Sequence, residues 1–155
     1  MSDFRQFARS ASKGARGAAL DKMPVVLLVE DEMLVRMLAA EVLSEAGFTV
    51  VETESAEEAL AVLQTRSDVR VLFTDVNMPG ALDGLGLAQI VHEREPDVSI
   101  LIGSGRIRPC PGELPPGVRF IAKPYAPSAL TEAVCALAQG YRQGRTPDPL
   151  SATLS

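Results

Sequence analysis

The chain has 155 residues, 46% of them apolar and 23% charged, and a formal net charge of −5. That length suits one domain with short flanking segments, and that apolar fraction excludes disorder along the whole chain. No run of about 18 apolar residues is present to span a membrane, the acidic balance argues against nucleic acid as a partner, and Cys110, Cys135 and His92 are too few for a zinc site or a disulfide scaffold.

Charge is unevenly spread. Residues 1–23 carry five basic side chains against two acidic ones, a net of +3, which leaves −8 on the remainder. This leading segment is rich in Ser, Ala and Gly and lacks the apolar stretch of a secretory signal, so a cytoplasmic location is expected. Phe4, Phe7, Ala8 and Ala11 fall at helical spacing, so a short amphipathic helix stands beside the plainer reading of a flexible basic arm. Residues 141–155 contain Gly144, Pro147 and Pro149 and read as a flexible tail, which leaves 24–140 as the folded domain.

Strand and helix patterns alternate between those ends. Val25 to Val29 is a wholly apolar, β-branched run of the kind buried on both faces of a sheet. A helix is predicted over about 33–46, with Leu34, Leu38, Val42 and Ala46 at successive steps of four and Gly47 as its terminator. Thr49 to Val51 is a second strand. Ser55 followed by Glu58 makes a capping box, opening a helix whose buried stripe is Ala56, Ala59, Leu60 and Leu63. Val69 to Thr74 is a third strand, ending at Asp75, and a helix follows over about 85–95, stopped by Pro96. Val98 to Ile102 and Val118 to Ala122 are the fourth and fifth strands, and the last helix opens at Pro127 and continues through Leu130, Val134, Leu137 and Tyr141.

Apolar strands separated by helices predict a parallel sheet covered on both faces. Ligands of such sheets gather at the carboxyl ends of the strands. There the chain places Glu30-Asp31-Glu32, then Asp75-Val76-Asn77-Met78-Pro79-Gly80, then Gly103-Ser104-Gly105, then Lys123-Pro124. Carboxylates from two strands repel one another unless a cation lies among them, and oxygen donors without His or Cys suit magnesium. With one lysine and one hydroxyl on the same rim, the set fits phosphoryl transfer, with Asp75 as a nucleophile forming an acyl phosphate.

Val29-Glu30-Asp31-Glu32, Thr74-Asp75 through Gly80, Asp83-Gly84 and Lys123-Pro124 together resemble the signature of receiver domains of bacterial two-component response regulators, over roughly residues 24–140. The resemblance implies a flavodoxin-like α/β three-layer sandwich with five parallel strands ordered 2-1-3-4-5. It implies Asp75 as the phosphorylated aspartate and a Mg2+ held by Glu30, Asp31, Asp75 and Asn77, with Asp31 the more direct ligand, Glu30 acting through water and Asn77 offering its backbone carbonyl. It further implies that Ser104 and Lys123 contact the phosphoryl group, that the bond after Lys123 is cis, and that Phe120 swings inward on activation. The implied partner is a histidine kinase or phosphotransfer protein, with no nucleic acid and no membrane. The implied function is a single-domain switch, phosphate shuttle or sink, not an enzyme beyond its own phosphotransfer and dephosphorylation.

Plainer readings stand beside these. Glu30 to Glu32 also suits an exposed acidic turn, Asp75 an Asx-turn, Ser104 simple loop chemistry, Lys123 a solvated charge and Phe120 ordinary core. A receiver-like module that binds partners without phosphorylation is the alternative function. A flavin- or nucleotide-binding fold is disfavoured, because no Gly- or Ser/Thr-rich phosphate loop follows the first strand. Two departures from the family pattern are visible. The loop Pro79 to Asp83 has one residue more than the commonest spacing, and residues 106–117 hold Pro109, Pro111, Gly112, Pro115 and Pro116, so the fourth helix is expected to be absent or irregular. Arg106 stands two residues after Ser104, where it would tune access of water to the acyl phosphate.

Overall fold

A strand with no polar residue must be covered on both sides, and Val25–Val29 (β1) is buried at all five positions in the computed structural model, which describes residues 24–105 and 114–142. In chain order it is followed by Met33–Glu45 (α1), Thr49–Thr53 (β2), Ala56–Thr65 (α2), Val69–Asp75 (β3), Gly84–Arg94 (α3), Ser99–Ser104 (β4), Arg119–Ala122 (β5) and Pro127–Arg142 (α4). All strand pairings are parallel, in the order β2-β1-β3-β4-β5. The predicted α/β architecture and strand order are both present.

The period-two alternation of each strand divides the core in two. Val26, Leu28, Val71, Phe73 and Leu101 face α1 and α4, where they meet Leu43, Leu130 and Val134. Val25, Leu27, Val29, Leu72 and Ile102 face α2 and α3, where they meet Ala59, Leu87 and Val91. One irregularity keeps β3 in step with β1. Val25 pairs with Val69 and Val26 with Val71, so Arg70 is an extra residue, a bulge at the start of β3. Its guanidinium donates to the carbonyls of Ser67 and Val69 at 3.2 and 3.3 Å.

The local end signals work as their chemistry dictates. Gly47 has φ +109 and closes α1 in a Schellman arrangement, its N–H on the Ser44 carbonyl at 3.0 Å and the Phe48 N–H on the Leu43 carbonyl at 3.1 Å. Ser55 Oγ accepts from the Glu58 N–H at 3.1 Å, while the Glu58 carboxylate accepts from the Glu54 N–H, one residue earlier than the ideal capping box.

Three expectations change. The row Leu34, Leu38, Val42, Ala46 is not buried as a unit: Leu34 and Leu38 are exposed, and Ala39, Ala40 and Leu43 bury instead, small side chains that let α1 approach the sheet. β4 extends to Ser104, so Gly103 and Ser104 are strand residues paired with Ile121 and Ala122, not the loop after a strand. The expected absence of a fourth helix is not borne out, since four helices are present among the described residues. Of the proline-rich stretch, residues 106–113 lie outside the described residues, with Arg106 and Cys110. A proline lacks an N–H but keeps its carbonyl, and that of Pro115 accepts from the Val118 N–H at 3.2 Å in the turn that leads into β5. The arm 1–23, residues 143–155 and the Tyr141 side chain also lie outside the described residues.

Candidate functional site

The site is built by register. Val29 pairs with Thr74, Asp75 with Gly103 and Ser104 with Ala122, so Glu30, Asp75, Ser104 and Lys123 emerge at one level on neighbouring strands. Backbone bonds beyond the ladders fix that rim: Glu30 N–H donates to Thr53 at 3.1 Å, Val76 N–H to Gly103 at 3.0 Å and Lys123 N–H to Ser104 at 2.8 Å.

Glu30, Asp31 and Asp75 each offer a carboxylate oxygen, all within 4.8 Å of one another. Lys123 Nζ lies 2.9 Å from Glu30 Oε1 and 3.3 Å from Asp75 Oδ1. Glu30 is buried, and its second oxygen accepts from the Glu32 N–H at 3.2 Å. Burial pushes the Glu30 carboxyl above its ordinary value, with Lys123 and the Glu32 N–H acting against that rise. Burial alone would lower the Lys123 ammonium, but the carboxylates of Glu30 and Asp75 outweigh it, and its pKa lies above the ordinary lysine value. Glu30 and Lys123 are therefore not solvated charges, while Glu32 beside them is exposed.

The donor set fits a hard divalent cation. Three carboxylates face a single ammonium, so a cation relieves the excess negative charge, and no His or Cys competes for a softer metal. Both Glu30 oxygens have protein partners, which leaves Asp31 and Asp75 the better placed to ligate directly.

The remaining expected residues sit around this centre. Asn77 lies two residues past Asp75 and is exposed. Ser104 is buried at the end of β4. Phe120 is half-buried on β5, paired with Ile102, and belongs to neither core cluster. The Lys123–Pro124 bond is cis. The longer loop is pinned by buried Met78, by Leu82 against the α2/α3 core, and by Asp83, whose carboxylate caps α3 on the Gly86 N–H at 2.9 Å; Gly80 within it has φ +111.

Four supporting features go beyond the roles read from the sequence, two of them at glycines that its motifs already contain. Arg36, the sole basic residue of α1, donates from Nη1 to the Glu30 carbonyl at 2.9 Å and pairs through Nε with Glu52 at 3.4 Å, tying the end of β1 to β2. Gly84 starts α3 so close to β3 that a Cβ there would fall on the Asp75 carbonyl oxygen. Gly103 and Gly105 lie under the Lys123 stem, 3.6 Å from where a Cβ would stand at each. Tyr125 packs edge-on against Phe73 with ring centroids 6.0 Å apart, and burial raises its phenol above the ordinary value. A lone Arg in an apolar helix and two glycines around a Ser were the visible signals.

Residues 26–135 match the family model described as the response regulator receiver domain. The chain belongs to that family. This receiver is 33% identical over 118 residues to the C4-dicarboxylate transport transcriptional regulatory protein DctD of Rhizobium meliloti, covering 71% of this chain and 24% of that protein. It is 31% identical over 136 residues to the sensor kinase CckA of Brucella abortus, covering 85% and 14% respectively. The chain thus spans about a quarter or less of the length of these two relatives. Among solved structures, it is similar to NtrX of Brucella abortus with a TM-score of 0.72 and 28% identity, covering 79% of this chain and 29% of that one. A receiver protein of Sinorhizobium medicae shares the fold with a TM-score of 0.70 and 24% identity, covering 77% of this chain and 97% of that one. Among the described residues no helix is long and apolar enough to cross a membrane.

Proposed function

We propose that this receiver is a phosphoacceptor of a two-component pathway, taking a phosphoryl group onto Asp75 from a phosphohistidine of a histidine kinase or phosphotransfer protein. It then acts as a signalling switch through protein contacts, or as a phosphate shuttle or sink. One observation carries this reading: Asp75 clusters with Glu30 and Asp31, and its Oδ1 lies 3.3 Å from the Lys123 ammonium. In the step, a carboxylate oxygen of Asp75 attacks phosphorus. The new P–O bond forms as the P–N bond of phosphohistidine breaks, and the imidazole leaves with the electron pair and takes up a proton.

Lys123 moves from neutralising carboxylates to neutralising the phosphoryl oxygens, and the Ser104 hydroxyl donates to one of them. Asp31 and Asp75, with the Asn77 carbonyl and Glu30 through water, would hold Mg2+, which when bound supplies further charge neutralisation at those oxygens. The new dianionic charge at Asp75 then biases Ser104 and Phe120 between two arrangements. In this reading residues 24–140 are the receiver unit, flanked by 1–23 and 141–155.

Incubation with acetyl phosphate and Mg2+ tests it by intact mass. The wild-type chain is expected to gain one base-labile phosphoryl adduct, and Asp75→Asn to gain none. An adduct that survives in Asp75→Asn, or none on the wild type, rejects the proposal and leaves a module that binds partners without phosphorylation.

A further inference from the structure

The Lys123 ammonium works at a distance from its own strand. Lys123 follows β5, whereas Asp75 ends β3 and Glu30 follows β1, so the side chain must pass over β4 to meet them at 3.3 and 2.9 Å. Neighbouring strands lie about 4.8 Å apart, and a lysine stem left to itself samples many rotamers. Residues without side chains make the floor of its path. A Cβ at Gly103 would stand 3.6 Å from Lys123 Cε, and one at Gly105 would stand 3.6 Å from Lys123 Cβ.

The side of the path is aromatic. Alternate residues of a strand share a face, so Phe73 and Asp75 lie on the same side of β3, the side that Phe73 shares with α1 and α4. The Phe73 ring edge enters the space that Gly103 leaves open, 3.2 Å from where a Cβ would be, and Lys123 Cε approaches that same point. Phe73 in turn meets Tyr125, which stands between β5 and α4, edge-on with ring centroids 6.0 Å apart and planes at 61°. Tyr125 is half-buried against the α1/α4 core, and its phenol, raised by burial, also feels the charges of Lys123, Glu30 and Asp75.

We propose that Tyr125 is a positioning residue for phosphoryl acceptance: it braces Phe73 in the gap above Gly103, and the braced ring keeps the Lys123 stem on line for Asp75. This rests on Asp75 as the phosphoacceptor. Tyr125 acts through Phe73, by restricting the stem before the phosphodonor arrives, so its contribution is to orientation and comes from the ring rather than the hydroxyl. When Lys123 turns from the carboxylates to the phosphoryl oxygens, the field at Tyr125 changes with it.

Timed mass spectrometry with acetyl phosphate and Mg2+ tests this on chains that circular dichroism shows to be folded. Tyr125→Leu keeps apolar bulk without the ring and is expected to slow labelling of Asp75 about 10-fold, while Tyr125→Phe stays within about twofold of wild type. Gly103→Ala, whose methyl would press on the Phe73 ring, should slow labelling as Tyr125→Leu does. Val91→Ala opens a cavity in the opposite core, so it should lose stability and keep the wild-type rate. The chain has two tyrosines and no tryptophan, so in a Tyr141→Phe background the emission is that of Tyr125. It should change on labelling and stay constant when Asp75→Asn is added. A folded Tyr125→Leu or Gly103→Ala chain labelled at the wild-type rate overturns the proposal. So does equal slowing in Tyr125→Phe or Val91→Ala, or an emission that ignores labelling. A wild-type chain that takes no phosphoryl group at all rejects the phosphoacceptor reading, and this proposal with it.

Discussion

At 2.9 Å from Glu30 and 3.3 Å from Asp75, the Lys123 ammonium holds two carboxylates together, and its removal leaves them facing one another. Lys123→Ala is expected to destabilise the metal-free chain by about 2 kcal/mol. It should also slow labelling by acetyl phosphate about 100-fold. Chemical denaturation and timed mass spectrometry check the two effects separately. Glu30 carries a sign that can be tested. Its folded pKa is raised, so its contribution favours the fold below its ordinary value and is lost as pH rises through the folded one. The stability of wild type relative to Glu30→Gln should therefore fall as pH rises from the ordinary carboxyl value through the raised one in the absence of divalent cations, measured as the difference in unfolding free energy. The residues that make the pocket were legible because each ends a strand of a parallel sheet, where the fold itself convenes polar groups. Arg36 was not legible in that way: its role depends on an inward turn of the side chain toward Glu30 that no spacing rule encodes.

Elements meet most tightly where α3 begins. A methyl at Gly84 would collide with the Asp75 carbonyl, and neither α3, capped by Asp83, nor the end of β3 can yield without moving the site. Gly84→Ala should cost about 2–3 kcal/mol and depress phosphoryl acceptance as well. Ser55→Ala, which removes a cap remote from the rim, should cost about 1 kcal/mol and leave acceptance unchanged. Thermal melts and acetyl phosphate labelling of the two variants side by side make the comparison. Caps and terminators such as Ser55, Gly47 and Asp83 could be read from sequence because their chemistry is local to a single turn. The orientation of α1 could not. A four-residue step marks a row of side chains without saying which row faces the sheet, and Ala39 and Ala40 win the inner side by being small. The last residues of β4 were hidden for a related reason. Gly103 and Ser104 have little strand propensity of their own, and it is pairing with β5 that extends the strand to them.

For the molecule as a whole, a divalent ion that binds only the folded rim must stabilise every strand that supplies a ligand. Mg2+ at 100 times its dissociation constant should add about 2.7 kcal/mol to unfolding, and Asp31→Asn should abolish most of that gain without unfolding the chain. A denaturant titration with and without the ion reads this directly. The bulge at Arg70 has a consequence of another kind. Because Val69 already points to the α2/α3 side and Val71 to the α1/α4 side, the strand keeps its parity with Arg70 excised, whereas losing Leu72 would invert Thr74 and Asp75 together. A chain without Arg70 should still be labelled at Asp75, and a chain without Leu72 should not. The amino end of β3 thus holds a spare link, and length changes that evolution tries at the floor of the sheet can be absorbed there before they travel to the chemistry at its roof.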